Sequence, residues 1–306
     1  MKYNILVTDI LIKDFVYIFK KDFNVDCLWQ LNKNINFNKY QAIVVTGGFN
    51  TDKNFLKQIN NLKIVSVFGV GYDGVDLNFC KKNNIVVTNT PKVLTKDVAD
   101  LALGLMISLS RKIYDSHKFI IENKWTEKPF PLTKSLSEKI VGIVGLGEIG
   151  KAFSKRAKSL SMEVVYTGPN KKKSKLKFYK NLNEMIKKVD YLVLTCIGGK
   201  STKNLINKKI LKSMKKSSMI INVSRGSVIN QEDLIYSLQN KKIAGAALDV
   251  FDDEPKINYK LKKLKNVLLS PHNASATLET RNKMAALSKE NIKDLLIRKR
   301  KKNFIN

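Results

Sequence analysis

Histidine is nearly absent from this chain: there are two in 306 residues, His117 and His272. Cysteine is almost as scarce, with Cys27, Cys80 and Cys196 scattered and odd in number. With so few ligands and no Cys-x-x-Cys, little material exists for a zinc site, and no metal is expected. The thiol pattern argues against a disulfide framework and fits a reducing, cytoplasmic compartment. No apolar run approaches the ~20 residues that a membrane-spanning helix needs, so no membrane partner is expected. The first ten residues, "MKYNILVTDI", read as a strand rather than a secretory leader, for want of a long apolar core and a small-residue cleavage site. Long linkers, low-complexity tracts and solenoid repeats are missing as well.

What is present describes a globular protein of two ordinary domains. Apolar residues make up 43% and charged residues 27% of the chain, as in soluble proteins generally. The formal net charge of +30 raises the question of a nucleic-acid partner. Basic residues are spread over nearly every segment and are not interleaved with aromatics on one stripe. A spread is a weaker footprint than a patch, so nucleic acid is not the expected partner.

The N-terminal third alternates β-branched runs at 3–9, 42–48, 63–69 and 84–90 with polar stretches at 51–60 and 74–83. Such runs suit parallel strands buried on both faces, and the alternation is the βαβ rhythm of an open α/β sheet. A long helix is predicted from Val98, with apolar positions at 98, 101, 102, 105, 109 and 113. Thr95 is its expected cap, Asp97 and Asp100 suit the positive end of its dipole, and His117 continues its packed face. After a polar hinge at 123–137 the rhythm restarts. Strands are expected at 139–145, 162–167, 190–196, 218–224, 244–250 and 266–271, with helices at 149–160 and 231–240. The basic segment 171–180 reads as a loop or short strand.

"IVGLGEIG" (143–150) carries Gly-x-Gly-x-x-Gly at Gly145, Gly147 and Gly150. It sits between a predicted strand and helix, inside a βαβ unit of about 30 residues. Gly145 permits the tight turn, Gly147 admits a pyrophosphate to the backbone, and Gly150 allows close helix–strand packing. The helix N-terminus then faces the phosphates. At the end of the next strand an NAD site wants a carboxylate for the ribose hydroxyls. Here Thr167 stands there, followed by Asn170, Lys171, Lys172 and Lys173. Nothing repels a 2′-phosphate and several cations attract one, so NADPH is the expected cofactor, with NADH as an alternative.

Open α/β sheets bind ligands beyond the carboxyl ends of their strands. Arg225, Glu254 and His272 fall there, a cation, a carboxylate and an imidazole. A 2-keto acid reductase needs this set. Arginine holds the substrate carboxylate and polarises its carbonyl, and imidazolium donates a proton as hydride arrives. A carboxylate on the other ring nitrogen orients the imidazole and favours its charged form.

Six motifs in one order then carry a resemblance: "VFGVGYDGVD" (67–76), "VTNTPKVLTKDVADLALGL" (87–105), "VGIVGLGEIG" (141–150), "INVSRGSVIN" (221–230), "AALDVFDDEP" (246–255) and "SPHNASAT" (270–277). From about Ala42 to Arg281 the chain resembles the D-isomer-specific 2-hydroxyacid dehydrogenases, within them the glyoxylate/hydroxypyruvate and hydroxyphenylpyruvate reductase branch. The resemblance implies an α/β protein of two Rossmann-like domains with mainly parallel sheets and a cleft between them. The substrate domain would comprise 1–95 plus 275–306, and the dinucleotide-binding domain 96–274. Arg225, Glu254 and His272 take the catalytic roles. Val70, Gly71, Arg225 and Ser275 become substrate contacts. Cofactor contacts fall on Gly145, Leu146, Gly147, Glu148, Ile149, Gly150, Thr167, Asn170, Lys171, Cys196, Ile197, Thr202, Val223, Ser224, Asp249 and His272, with Asp249 on the nicotinamide carboxamide. Ile197 departs from the pattern, since many relatives carry proline there. A homodimer paired through the 98–113 region is implied too. Two alternatives stay open: an NAD-linked phosphoglycerate dehydrogenase lacking a regulatory domain, and a dinucleotide-regulated binding protein of the co-repressor type.

Overall fold

A computed structural model describes residues 2–32, 35–300 and 302–306. Its strands are β1 Asn4–Val7, β2 Asn24–Cys27, β3 Ala42–Thr46, β4 Ile64–Phe68, β5 Val86–Thr88, β6 Ile140–Val144, β7 Glu163–Thr167, β8 Lys177–Tyr179, β9 Tyr191–Leu194, β10 Met219–Asn222, β11 Gly245–Leu248 and β12 Val267–Leu269. The helices are α1 Val16–Lys20, α2 Lys53–Leu56, α3 Leu77–Lys82, α4 Thr95–Arg111, α5 Ile113–Ile121, α6 Glu148–Ser159, α7 Leu182–Ile186, α8 Lys208–Ser213, α9 Gln231–Gln239, α10 Tyr259–Lys262 and α11 Leu278–Leu296. The chain forms two units. One runs to Leu94 and resumes at Ser275; the other spans Thr95–Ala274.

The first unit holds a five-stranded sheet in the order β2-β1-β3-β4-β5, and all its pairings are parallel. Ile5, Leu6, Val44, Val65 and Val87 are fully buried, as a sheet covered on both faces requires. Helix α11 packs on β4, and Ser66 Oγ meets Ser288 Oγ at 2.7 Å beneath it. The edge of β5 is not left open. The Ile305 N–H donates to the Val87 carbonyl, and Asn306 accepts from Val87 and donates to the Ile85 carbonyl, each at 2.8 Å. This C-terminal strap covers backbone groups that would otherwise invite edge pairing.

The second unit holds a seven-stranded parallel sheet, β12-β11-β10-β9-β6-β7-β8. The order reverses between β6 and β9, which is where such sheets open a crevice. Val141, Val193, Ile220 and Ala246 are fully buried. Helix α4 lies along α6, β10 and β11, and Ser110 binds the buried Tyr191 hydroxyl at 2.7 Å.

Every strand read from the sequence is present. Strand β2 was missed because "NVDC" is short, half-polar and at an edge. The predicted helix 51–60 contracts to α2, capped by Asp52 accepting from Phe55 N–H. The long helix does not run on through Ile113. Lys112 takes a left-handed φ of 51° and separates α4 from α5, and Ile113 and His117 are exposed rather than continuing the packed face. Thr95 is the first helical residue of α4 rather than a preceding cap. No helix among the described residues is long and apolar enough to cross a membrane.

Candidate active site

The glycine turn between β6 and α6 is shaped by what each position excludes. Gly145 has φ 96°, and a Cβ there would lie 2.7 Å from Cys196 Cα. A Cβ on Gly150 would overlap the Gly145 carbonyl oxygen. Gly147 faces open space and is the N-cap of α6, with no side chain to offer the first-turn N–H groups. Two glycines therefore close the turn on the protein, and the third leaves the helix N-terminus bare for an anion. Leu146 is buried, Ile149 half-buried, and Glu148 pairs outward with Lys151 at 3.3 Å. A dinucleotide phosphate fits this cradle. Thr195, next along β9's exit, braces it by donating its hydroxyl to the Gly145 carbonyl at 2.7 Å.

Thr167 ends β7 with a buried side chain, while Asn170 and Lys171 to Lys173 are exposed beyond it. Tyr166 fixes that segment, its hydroxyl accepting from the Lys172 N–H at 2.9 Å. On the next rim Ser224 Oγ donates to the Cys196 carbonyl at 2.5 Å. Burial pushes the Cys196 thiol up, against a smaller opposing effect of Ser224, so it is no nucleophile. Ile197 is exposed, and Thr202 holds its loop by donating to the Ile197 carbonyl at 2.7 Å. Val223 is buried.

Arg225, Glu254 and His272 come together within the second unit. His272 Nδ1 lies 2.6 Å from Glu254 Oε2, and the other carboxylate oxygen accepts from the Phe251 N–H at 2.8 Å. Burial raises the Glu254 pKa, but the His272 hydrogen bond and charge, the Phe251 N–H and the nearby Arg225 outweigh it and hold the carboxyl below its usual range. Glu254 is thus kept ionised against the ring. Gly226 is why Arg225 stands so near: a Cβ there would overlap the Phe251 carbonyl, so the two loops touch backbone to backbone. Asn222, buried, ties the turn by donating to the Arg225 carbonyl at 2.9 Å and accepting from the Ser224 N–H at 3.0 Å.

The His272 backbone is itself unusual, with φ 50°, a region that non-glycine residues enter at a cost. Asp249 holds it there. This residue is fully buried. Its Oδ1 accepts from Ser270 Oγ at 2.6 Å and Asn273 N–H at 2.9 Å, its Oδ2 from Ala274 N–H at 3.0 Å, and its carbonyl from the His272 N–H at 2.8 Å. The resemblance implies a cofactor contact for Asp249; in the structure its carboxylate and carbonyl also hold the loop that carries the histidine.

Val70, Gly71 and Ser275 belong to the first unit. Val70 and Gly71 follow β4, where the Gly69 carbonyl accepts from Thr90 N–H at 2.9 Å and the Val70 carbonyl from Asn89 at 3.0 Å. The N–H groups of Val70 and Gly71 donate to nothing among the described residues. Ser275 is half-buried. A cavity of about 620 Å³ between α4 and residues 132–137, lined by Ile107, Arg111, Leu132 and Leu160 among others, contains none of these groups.

The family model for the NAD binding domain of D-isomer specific 2-hydroxyacid dehydrogenases matches residues 103–274. The chain belongs to that family. It is an oxidoreductase of the CH–OH group with an NAD binding domain. It is 39% identical over 251 residues to a glyoxylate/hydroxypyruvate reductase A of Arabidopsis thaliana, covering 82% of this chain and 80% of that one. A 2-ketogluconate reductase of Gluconobacter oxydans is 38% identical over 253 residues, covering 82% of each chain. Among solved structures, the NADPH-dependent glyoxylate/hydroxypyruvate reductase of Sinorhizobium meliloti in complex with NADP and malonate is similar with a TM-score of 0.93 and 31% identity, over 100% of this chain and 97% of that one.

Seen as a dehydrogenase of this family, the chain holds several working parts that sequence reasoning missed. Gly226, Asn222 and Ser270 position Arg225 and His272 through contacts with residues 21 to 25 places away or through local turns. All three lie inside motifs quoted from the sequence, Asn222 and Gly226 in "INVSRGSVIN" and Ser270 in "SPHNASAT", but residue type alone gave none of them this supporting role.

Proposed function

We propose that this protein reduces a small 2-keto acid of the glyoxylate or hydroxypyruvate type to the D-2-hydroxy acid, preferring NADPH over NADH. The observation that carries the reading is the 2.6 Å contact between His272 Nδ1 and Glu254 beside Arg225. A reduced nicotinamide, when bound, supplies the hydride. With Nδ1 committed to Glu254, His272 has Nε2 left to give a proton to the carbonyl oxygen as it becomes a hydroxyl. The planar fork of Arg225 suits the substrate carboxylate and draws electron density from the adjacent carbonyl. The free N–H groups of Val70 and Gly71 suit a carboxylate too.

The exposed Asn170 and lysines 171–173, with no carboxylate among them, support NADPH. The Sinorhizobium meliloti relative, described as NADPH-dependent, points the same way. A homodimer is supported by α5 and its continuation, where Ile113, Tyr114, Ile120, Ile121 and Trp125 are all exposed, a patch that monomers rarely leave open. Three free cysteines support residence in the cytoplasm.

The test is nicotinamide oxidation with NADPH and, separately, NADH, on glyoxylate, hydroxypyruvate, 4-hydroxyphenylpyruvate and phosphohydroxypyruvate. Turnover with NADPH on either of the first two is the expected result. NADH-dependent turnover confined to the phosphorylated acid would overturn it in favour of a phosphoglycerate dehydrogenase. Light scattering tests the dimer.

A further inference from the structure

A backbone N–H and the carbonyl of the residue before it belong to one planar, trans peptide unit and point in opposite directions. Whatever grips the carbonyl therefore aims the N–H. Two such units follow β4. In the first, the Gly69 carbonyl accepts from the N–H and the hydroxyl of Thr90, at 2.9 and 3.1 Å; the N–H across that unit is the one of Val70. In the second, the Val70 carbonyl accepts from the Asn89 side-chain amide at 3.0 Å; the N–H across that unit is the one of Gly71. Neither N–H donates to anything among the described residues. A carbonyl that accepts a hydrogen bond also polarises its own peptide unit, which makes the N–H a better donor.

Thr90 is fully buried. Asn89 is only half-buried, and it is held from elsewhere. Its carbonyl accepts from the Asn291 side-chain amide at 3.0 Å, and its N–H donates to the Asn303 carbonyl at 3.4 Å. The Asn303 side-chain amide in turn donates to Asn291 Oδ1 at 2.8 Å. Asn291 lies three residues beyond Ser288, the α11 residue that meets Ser66 of β4, so both stand on the helix face turned to the sheet. It is 3% exposed. A buried asparagine is costly unless both ends of its amide are used, and here both are used on Asn89 and on the residue beside it. Covering the edge of β5 needs backbone partners alone, so this chain of amides serves something more. Every member of it belongs to the first unit.

We propose that Asn89 is a positioning residue that aims the Gly71 N–H at a carboxylate, and that Asn291 and Asn303 hold Asn89 for that task. The inference rests on the reading above in which the Val70 and Gly71 N–H groups take the substrate carboxylate. It adds the residues on which the second of those donors depends. Thr90 aims the Val70 N–H by a separate route, so the two donors respond differently to loss of Asn89.

The test follows the Val70 and Gly71 amide resonances of the isotope-labelled full-length protein, with NADPH present, as oxalate is added. Both proton signals move downfield in wild type. In Asn89→Ala the Gly71 response is largely lost and the Val70 response is kept. In the same variant KM for the keto acid rises about tenfold, while kcat and the Kd of NADPH stay within about twofold, as loss of a charge-assisted hydrogen bond common to ground and transition states requires. Asn303→Gly is the gentler variant. It suits the φ of 53° at that position, keeps the carbonyl and removes only the amide. Its KM moves in the same direction by about two- to threefold, at an unchanged Tm. Equal responses of the two resonances in Asn89→Ala, matching those of wild type, would overturn the proposal. So would equal loss of both with a lowered Tm, which makes Asn89 a brace for the sheet edge. Silence of both resonances in wild type is a different result: it removes the carboxylate reading, and this inference falls with it.

Discussion

The turn at 145–150 and the loop at 270–274 do comparable jobs, each presenting polar groups at the rim of the same seven-stranded sheet. They are built by opposite means. The first is shaped by the absence of side chains: Gly145 and Gly150 allow backbone to touch backbone, and Gly147 leaves space. The second is shaped by side chains from elsewhere, with Asp249 and Ser270 fixing the backbone and Glu254 fixing the ring. A cradle of the first kind is written locally in the sequence. A support of the second kind is written in residues whose meeting only the fold decides.

Four substitutions sharpen this contrast. Gly226→Ala should have the largest effect, since its Cβ would overlap the Phe251 carbonyl. A loss of roughly 4 kcal/mol or more is expected, visible as insolubility or a steep fall in Tm. Asp249→Asn replaces an acceptor with a donor opposite a loop N–H. It should cost roughly 2 kcal/mol in denaturant unfolding and lower kcat about tenfold while sparing NADPH binding. An intact kcat would mean that the strained His272 backbone holds itself.

Gly147→Ala and Gly150→Ala form a pair. The first meets nothing within 4 Å, so it should fold with an unchanged Tm and weaken NADPH about tenfold by standing where phosphates approach. The second should lose stability first, because its Cβ overlaps the Gly145 carbonyl oxygen. Identical behaviour of the two would refute the division of labour within the turn.

The smallest effect expected is a pH dependence. The Glu254 carboxyl is depressed in the folded state below its ordinary value of 4.5, so its contribution is fully present above that value and is lost as pH falls through the folded one. With a side chain 31% exposed, the contribution is at most about 1 kcal/mol. The stability gap between wild type and Glu254→Gln should therefore be steady near neutrality and close below pH 4.5. A gap that widens in acid would contradict the sign.

Much of the fold was legible because parallel strands buried on both faces read as continuous apolar runs, and the β-branched runs around Ile5, Val44, Val65, Val141, Val193 and Ile220 fit that pattern. The break at Lys112 was not, since its cause is a single left-handed residue inside an unbroken helical pattern. Nor were the edges: β2 is too polar and the Ile305–Asn306 strap too short to declare themselves. In the site, the order of motifs located Arg225, Glu254 and His272, and the structure brings these three together in the second unit. The buried use of Asp249 left no trace, because burial and partnership are properties of the packed chain rather than of residue type.

The most direct test of the central claim is turnover of His272→Ala with NADPH and hydroxypyruvate, read beside NADPH binding by fluorescence. The account predicts a fall in kcat of roughly a hundredfold or more with binding nearly unchanged. Turnover equal to wild type would remove His272 from proton donation, and with it the role given to Glu254 and to the loop that Asp249 holds.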